Sequence, residues 1–201
     1  MFSRRSLLFL STAAIWQSRF PAHGHALPDC EWCGAAEAPD NLTSTIALAD
    51  ENEPGERLLL QGTMYAPDGV TPAPGVLLYL YQTNHAGLYA QRGDETGNGR
   101  RHGYLRGWLI SDEQGNFEVR TILPGYYPNR ASPRHIHMTV KEPGRPEYWI
   151  DNVLFAGDPL ITANVMTRRE GRGGPAIVTP RRGPRGELVA RPNVNLWRPA
   201  T

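Results

Sequence analysis

The sequence is poor in the features that would make the chain fibrous, membrane-spanning or nucleic-acid-binding. Only two of its 201 residues are cysteine, Cys30 and Cys33, so no multi-bridge disulfide framework holds it together. The formal net charge is +1, which removes any global electrostatic case for nucleic acid. An Arg-rich stretch (Arg168, Arg169, Arg172, Arg181, Arg182, Arg185) is broken by Gly and Pro and carries no interleaved aromatics, so it reads as a solvated face. No apolar run approaches the ~20 residues of a membrane span. Beyond the leader, no segment of about a dozen residues shows a clean 3.6-residue period. There is no internal repeat and no sign of a second domain. What the chain does have is 21 glycines and 18 prolines, well above the ordinary combined ~12%. They are spread between apolar runs, which argues for short strands and many turns rather than disorder.

Met1 to about Ala26 reads as an export leader. Arg4 and Arg5 supply the positive start, Leu7 to Ile15 a short apolar core, and Gly24-His25-Ala26 the small residues of a cleavage site. The run Ser3-Arg4-Arg5-Ser6-Leu7-Leu8 resembles the twin-arginine signal; an ordinary secretory signal is the alternative. Either predicts a periplasmic or secreted protein. Residues 27–54 form a polar, irregular N-terminal arm. In an oxidising compartment its Cys30 and Cys33 are expected to form a short-loop disulfide. A zinc half-site would need a second Cys pair, and a thioredoxin-like motif a βαβ setting; neither is present.

Residues 55–201 are read as one β domain. Expected strands are Arg57–Tyr65, Val76–Gln82, Tyr104–Ser111, a half-buried strand through Phe117, Val119 and Thr121, His135–Lys141 and Tyr148–Phe155. A Gly/Pro-rich tail returns near Glu187–Ala190. Turns such as Pro67-Asp68-Gly69 and Asp112-Glu113-Gln114-Gly115 separate the strands. The spacing predicts an all-β fold, an antiparallel β-sandwich with long Gly/Pro-rich loops.

His135-Ile136-His137 is the main chemical signal. On a strand, i and i+2 share a face, so two imidazoles ~7 Å apart at Cα can converge on one ion. A pair of surface or hydrogen-bonded histidines is the plain alternative. Nearby, Pro124-Gly125-Tyr126-Tyr127-Pro128 and Ala86-Gly87-Leu88-Tyr89 place phenols on turns. A phenol, with its ordinary pKa of ~10, becomes a ligand only for a strong Lewis acid. Two tyrosinates and two imidazoles would suit Fe³⁺. Residue chemistry alone does not select Tyr89 and Tyr127 from the other tyrosines.

The run from Gly107 to Val140, with Leu77–Ala90 and Leu154–Ile161, resembles the intradiol ring-cleavage dioxygenases, the family of protocatechuate 3,4-dioxygenase and catechol 1,2-dioxygenase. The D-x-x-G-x-F, T-I-x-P-G-x-Y-P and H-I-H elements occur in the family's order. The resemblance implies a β-sandwich (prealbumin-like) core and a non-haem Fe³⁺ held by Tyr89, Tyr127, His135 and His137. It also implies that Tyr127 is the tyrosinate that leaves the metal and takes a substrate proton. A catechol-type ring would then be opened by O₂ between its two hydroxyl-bearing carbons to a muconate-type diacid. Partners would be a small aromatic diol and O₂, with no nucleic acid and, once the leader is gone, no membrane. The helical dimerisation segment of catechol 1,2-dioxygenases has no counterpart, which implies another assembly or a monomer.

One departure stands out. Family members carry Arg-Pro-Ala before His-x-His, whereas this chain has Ser132-Pro133-Arg134. Arg134 should point away from His135, which leaves Arg130 as the candidate to support substrate charge, against a plain surface role. Tyr126 is read as a pocket wall. Trp108 and His85 are read as core or surface residues, with a place in the pocket as the alternative. Two other readings stand beside the resemblance. One is a cupin-like metal site built from His135, His137 and Glu142. The other is a non-enzymatic transthyretin-like or carbohydrate-binding sandwich.

Overall fold

A computed structural model describes Cys30 and residues 33–167, 173–175 and 177–197. The leader and Arg168, Arg169 and Arg172 lie outside the described residues. The strands are β1 (Thr45–Ala47), β2 (Arg57–Tyr65), β3 (Leu77–Tyr81), β4 (Arg106–Ile110), β5 (Asn116–Ile122), β6 (His135–Lys141), β7 (Tyr148–Leu154), β8 (Gly174–Pro175), β9 (Arg181–Arg182), β10 (Leu188–Ala190) and β11 (Val194–Asn195). Two short helices, α1 (Gly99–His102) and α2 (Ala163–Thr167), and a 3₁₀ turn at Ala35–Glu37 complete the described elements. None of the described helices is long and apolar enough to cross a membrane.

The strands form two sheets. One runs β1-β5-β2-β10-β9, with β11 pairing β2 and β8; the other runs β4-β3-β6-β7. The sandwich architecture agrees with the expectation, but the larger sheet is mixed. β1 pairs with β5 in parallel, and β10 and β11 both pair in parallel with β2. The supposedly irregular arm therefore contributes a strand. Thr45–Ala47 is only three residues long, too short to display a period, and it forms because β5 offers an edge.

Side-chain alternation makes the core. Leu58, Leu60 and Met64 of β2 and Phe117 and Val119 of β5 share one cluster with Leu78 and Leu80 of β3 and Ile136, Met138 and Val140 of β6. Burying each such side chain stabilises by about 1.5–3 kcal/mol before entropy is counted. The same alternation turns Tyr79 and Tyr81 of β3, and His135, His137 and Thr139 of β6, to the opposite face of the four-stranded sheet. That outer face is not left to water. Residues 33–37 and the 83–103 loop fold over it, and Tyr79 and Tyr81 are buried there.

The arm is tied down by a few polar contacts. Gly34 and Ala35 donate their backbone N–H groups to the Glu147 carboxylate at 2.9 and 2.8 Å, and Thr139 Oγ1 donates to it at 2.5 Å. Trp108 Nε1 donates to the Gly34 carbonyl at 2.6 Å. Cys30 and Cys33 are joined by a disulfide.

Candidate metal centre

His135 and His137 enter the site from β6, whose intervening Ile136 is fully buried in the core. The core thus fixes the strand, and the strand fixes both imidazoles. The two phenols come from loops, and those loops are clasped backbone to backbone. Gly125 donates its N–H to the Asn84 carbonyl at 2.9 Å, and Thr83 Oγ1 donates to the Gly125 carbonyl at 2.9 Å. The Asn84 side chain accepts from the backbone N–H of Ala86 and Leu88, shaping the turn that leads into Tyr89. Gly87 holds φ +81°, and a Cβ there would lie 1.6 Å from the Tyr126 carbonyl oxygen. Only glycine lets the Tyr89 loop and the Tyr127 loop come this close.

The result is a cluster of four donor atoms. Tyr89 Oη and Tyr127 Oη lie 2.7 Å apart. His137 Nε2 is 2.8 Å from Tyr89 Oη, and His135 Nε2 is 3.0 Å from Tyr127 Oη. The two Nε2 atoms are 3.0 Å apart, and Tyr127 Oη lies 3.4 Å from His137 Nε2. Donor atoms held about 2.0–2.2 Å from one ion fall roughly 2.8–3.5 Å from one another.

The protons decide what such a cluster needs. His135 Nδ1 lies 2.8 Å from the Pro133 carbonyl, an acceptor, so Nδ1 carries the proton and Nε2 presents a bare lone pair. His137 Nδ1 and Asn152 Oδ1 are both buried and, among the described residues, have no hydrogen-bond partner, although the nearness of Asn152 favours the charged ring. An Nδ1–H directed at that carbonyl would leave His137 Nε2 able to accept as well. The Tyr89 and Tyr127 hydroxyls, 2.8 and 3.0 Å away, can donate to two such nitrogens, and a bound cation would take the place of those two protons. Burial holds both imidazoles below the ordinary histidine pKa, His137 well below, with the His135 and His102 rings acting in the same direction on His137. A proton is therefore a poor choice of cation. Burial also raises both phenols, Tyr89 and Tyr127, so neither ionises unless a strong Lewis acid drives it. A donor set of two hard oxygens and two imidazoles fits Fe³⁺ and would leave it a net charge of +1.

The other sequence candidates fall elsewhere. Arg130, exposed and at φ 49°, closes a turn by donating its N–H to the Tyr127 carbonyl at 2.7 Å. Its guanidinium lies 4.3 Å from the Tyr126 ring centroid, and that of Arg134 lies 4.5 Å from the same ring. Tyr126 thus serves as a platform for two cations beside the cluster, with neither arginine in direct contact with the four donors. His85 is exposed. Trp108 stacks on Tyr79 at 5.2 Å and anchors the arm. Glu142 corrects the cupin reading. It accepts from Tyr148 Oη at 2.9 Å and lies 3.5 Å from Arg145, at the far end of β6. Among the described residues no three His, Cys, Asp or Glu side chains converge.

Several neighbours of the cluster were not visible in the sequence. Tyr81 stacks on His137, with centroids 4.4 Å apart, and Trp149 lies 5.6 Å from the same ring. Asn152 reaches His137 because the β6–β7 register slips between Ile136 and Met138, where Val153 and Ile150 are the partners. A β-bulge of this kind re-aims a side chain. The i, i+2 spacing of Tyr79 and Tyr81 on a strand could have placed both rings on the site's face, a signal the sequence reading did not use.

The family model described as Dioxygenase matches residues 33–173. Catechol 1,2-dioxygenase of Acinetobacter baylyi is 31% identical over 143 residues, 62% of this chain and 44% of that protein. The protocatechuate 3,4-dioxygenase beta chain of Burkholderia cepacia is 29% identical over 113 residues, 53% of this chain and 48% of that one. The chain therefore spans about half the length of these relatives. Among solved structures, the dioxygenase domain of a dioxygenase–carbohydrate-binding protein fusion from Streptomyces sp. SirexAA-E shares the fold. Its TM-score is 0.59 at 24% identity, over 79% of this chain and 90% of that one. An intradiol ring-cleavage dioxygenase from Tetranychus urticae gives 0.56 at 21% identity, over 81% and 90%. With the family match enclosing all four converging side chains, the chain belongs to the intradiol ring-cleavage dioxygenases.

Proposed function

We propose that this protein is a non-haem ferric dioxygenase that opens a catechol-type ring between its two hydroxyl-bearing carbons. The observation that carries this reading is the convergence of two imidazole Nε2 atoms 3.0 Å apart with two phenol oxygens 2.7 Å apart. Bound Fe³⁺ would supply Lewis acidity, drawing electron density from a chelated diol so that its ring carbon reacts with O₂. Tyr89, Tyr127, His135 and His137 would hold it.

The chain's own residues then divide the labour. His135 and His137 are both set by β6, and His135 also by the Pro133 carbonyl on its Nδ1. Tyr127 comes from a loop, and its hydroxyl lies 3.0 Å from His135 Nε2 and 3.4 Å from His137 Nε2, within reach of both imidazoles. It is the group suited to accept a proton from the incoming diol hydroxyl. The Tyr126 platform with Arg130 and Arg134 supplies positive charge at the edge, where the family's arginine is replaced by Ser132. Arg4 and Arg5 of the leader and the Cys30–Cys33 disulfide support export to an oxidising compartment.

Tyrosinate bound to Fe³⁺ absorbs visible light by charge transfer. The iron-loaded protein is expected to be red-brown, and catechol should broaden the band to longer wavelength. Tyr127→Phe should shift that band and lower turnover at least ~100-fold, the scale of a lost acid–base group. A colourless protein carrying one iron, or Tyr127→Phe with unchanged spectrum and turnover, overturns the reading.

A further inference from the structure

Imidazoles rotate about a broad, roughly two-fold torsion, so a metal-binding histidine needs something to hold its plane. His135 is held by the Pro133 carbonyl. His137 has instead a bulge contact with Asn152 and a stack of rings. Tyr81 stands opposite His137 in the β3–β6 register, and the rings lie 4.4 Å apart at 14°. The other neighbour of Tyr81 is His102, 3.7 Å away and within 5° of parallel. His102 is itself fixed. It is 1% exposed, ends α1, and lies with Nδ1 2.7 Å from Tyr79 Oη. Tyr79 in turn stacks on Trp108, beneath the arm.

The Tyr81 hydroxyl is buried and has no hydrogen-bond partner among the described residues. A core tyrosine ordinarily finds one, so what this position uses is the flat ring and not the oxygen. We propose that Tyr81 and His102 are positioning residues: a two-layer aromatic plate that holds the His137 imidazole with Nε2 aimed at the donor cluster. The consequence for the metal rests on the ferric reading above; the consequence for the ring does not.

The test uses the full-length protein, ¹⁵N-labelled at histidine. In the metal-free state, long-range ¹H–¹⁵N imidazole correlations should show His137 as one sharp Nδ1–H tautomer. His102→Ala and Tyr81→Leu should give broadened or mixed-tautomer His137 signals. In the iron-loaded state, the same variants should release Fe³⁺ to a chelator about 10-fold or more faster, the usual cost of removing a supporting residue. His102→Phe keeps the plate while losing the bond to Tyr79, and should restore both the single tautomer and slow release. Unaltered His137 signals in His102→Ala and Tyr81→Leu overturn the proposal. So does His102→Phe behaving like His102→Ala. If the unsubstituted protein takes up no Fe³⁺, the ferric reading falls, and the imidazole spectrum still decides the role of the plate.

Discussion

At the scale of single residues, the site is governed by desolvation. His102 lies where burial, and then the charges of Arg101 and Arg106, push its pKa down to about 4. It is therefore neutral in the fold and titrates near ~6.5 once unfolded. A group depressed in this way gives its full stability above pH ~6.5 and loses it as pH falls toward 4, because the unfolded chain takes up a proton the fold refuses. The slope is about 1.4 kcal/mol per pH unit for each such histidine. Urea unfolding of the metal-free protein between pH 7 and 5 should show this loss. His102→Phe should shallow the slope by one proton, and an unchanged slope would contradict the assignment. The same burial acts on His135 and His137, which keeps them as neutral donors.

At the scale of elements, the positions of the two phenols depend on glycines as much as on tyrosines. Gly87→Ala would force a Cβ against the Tyr126 carbonyl at a left-handed backbone position. The expected cost is roughly 2–4 kcal/mol, together with loss of the ferric charge-transfer band although all four donors remain. Wild-type stability and colour in this variant would show that the loop clasp does not set the site. These elements also show what the sequence disclosed. Alternation at Phe117, Val119 and Thr121, and the apolar run Val76–Gln82, which contains the observed Leu77–Tyr81, located their strands closely, and His135–Lys141 matches its expected span. The His-x-His spacing was legible because strand geometry alone puts both rings on one face. Three things were hidden. β1 is too short for a period and exists only through pairing with β5. The parallel additions of β10 and β11 to β2 depend on where the tail returns in space. His102 reaches Tyr81 through a loop whose course no local pattern encodes. Tyr89 and Tyr127 were separable from the other tyrosines only by resemblance, since what distinguishes them is the crossing of two distant loops.

At the scale of the whole molecule, the sandwich core does not contain the site; it supports it from behind. One face of β3 and β6 packs into the core, and the other carries the histidines and the aromatic plate under the arm. Glu147 is the clasp between arm and sheet. Its carboxylate accepts from Gly34, Ala35 and Thr139, so Glu147→Ala should destabilise the protein by about 3 kcal/mol, on the order of one or two charge-assisted hydrogen bonds. It should also speed proteolytic cleavage within residues 33–44, measured by limited digestion and intact mass. A variant as stable and as resistant as the parent would mean that the arm is held by Trp108 and the other contacts alone. All of this architecture converges on one chemical outcome, which is the identity of the product. The iron-loaded protein should be incubated with catechol under ¹⁸O₂ and the ring-opened acid identified by mass spectrometry. A muconate carrying two ¹⁸O atoms, one in each carboxyl group, is the predicted result. A semialdehyde from cleavage beside the hydroxyls, or an intact ring in the presence of a full complement of bound iron across a panel of catechols, would contradict the account.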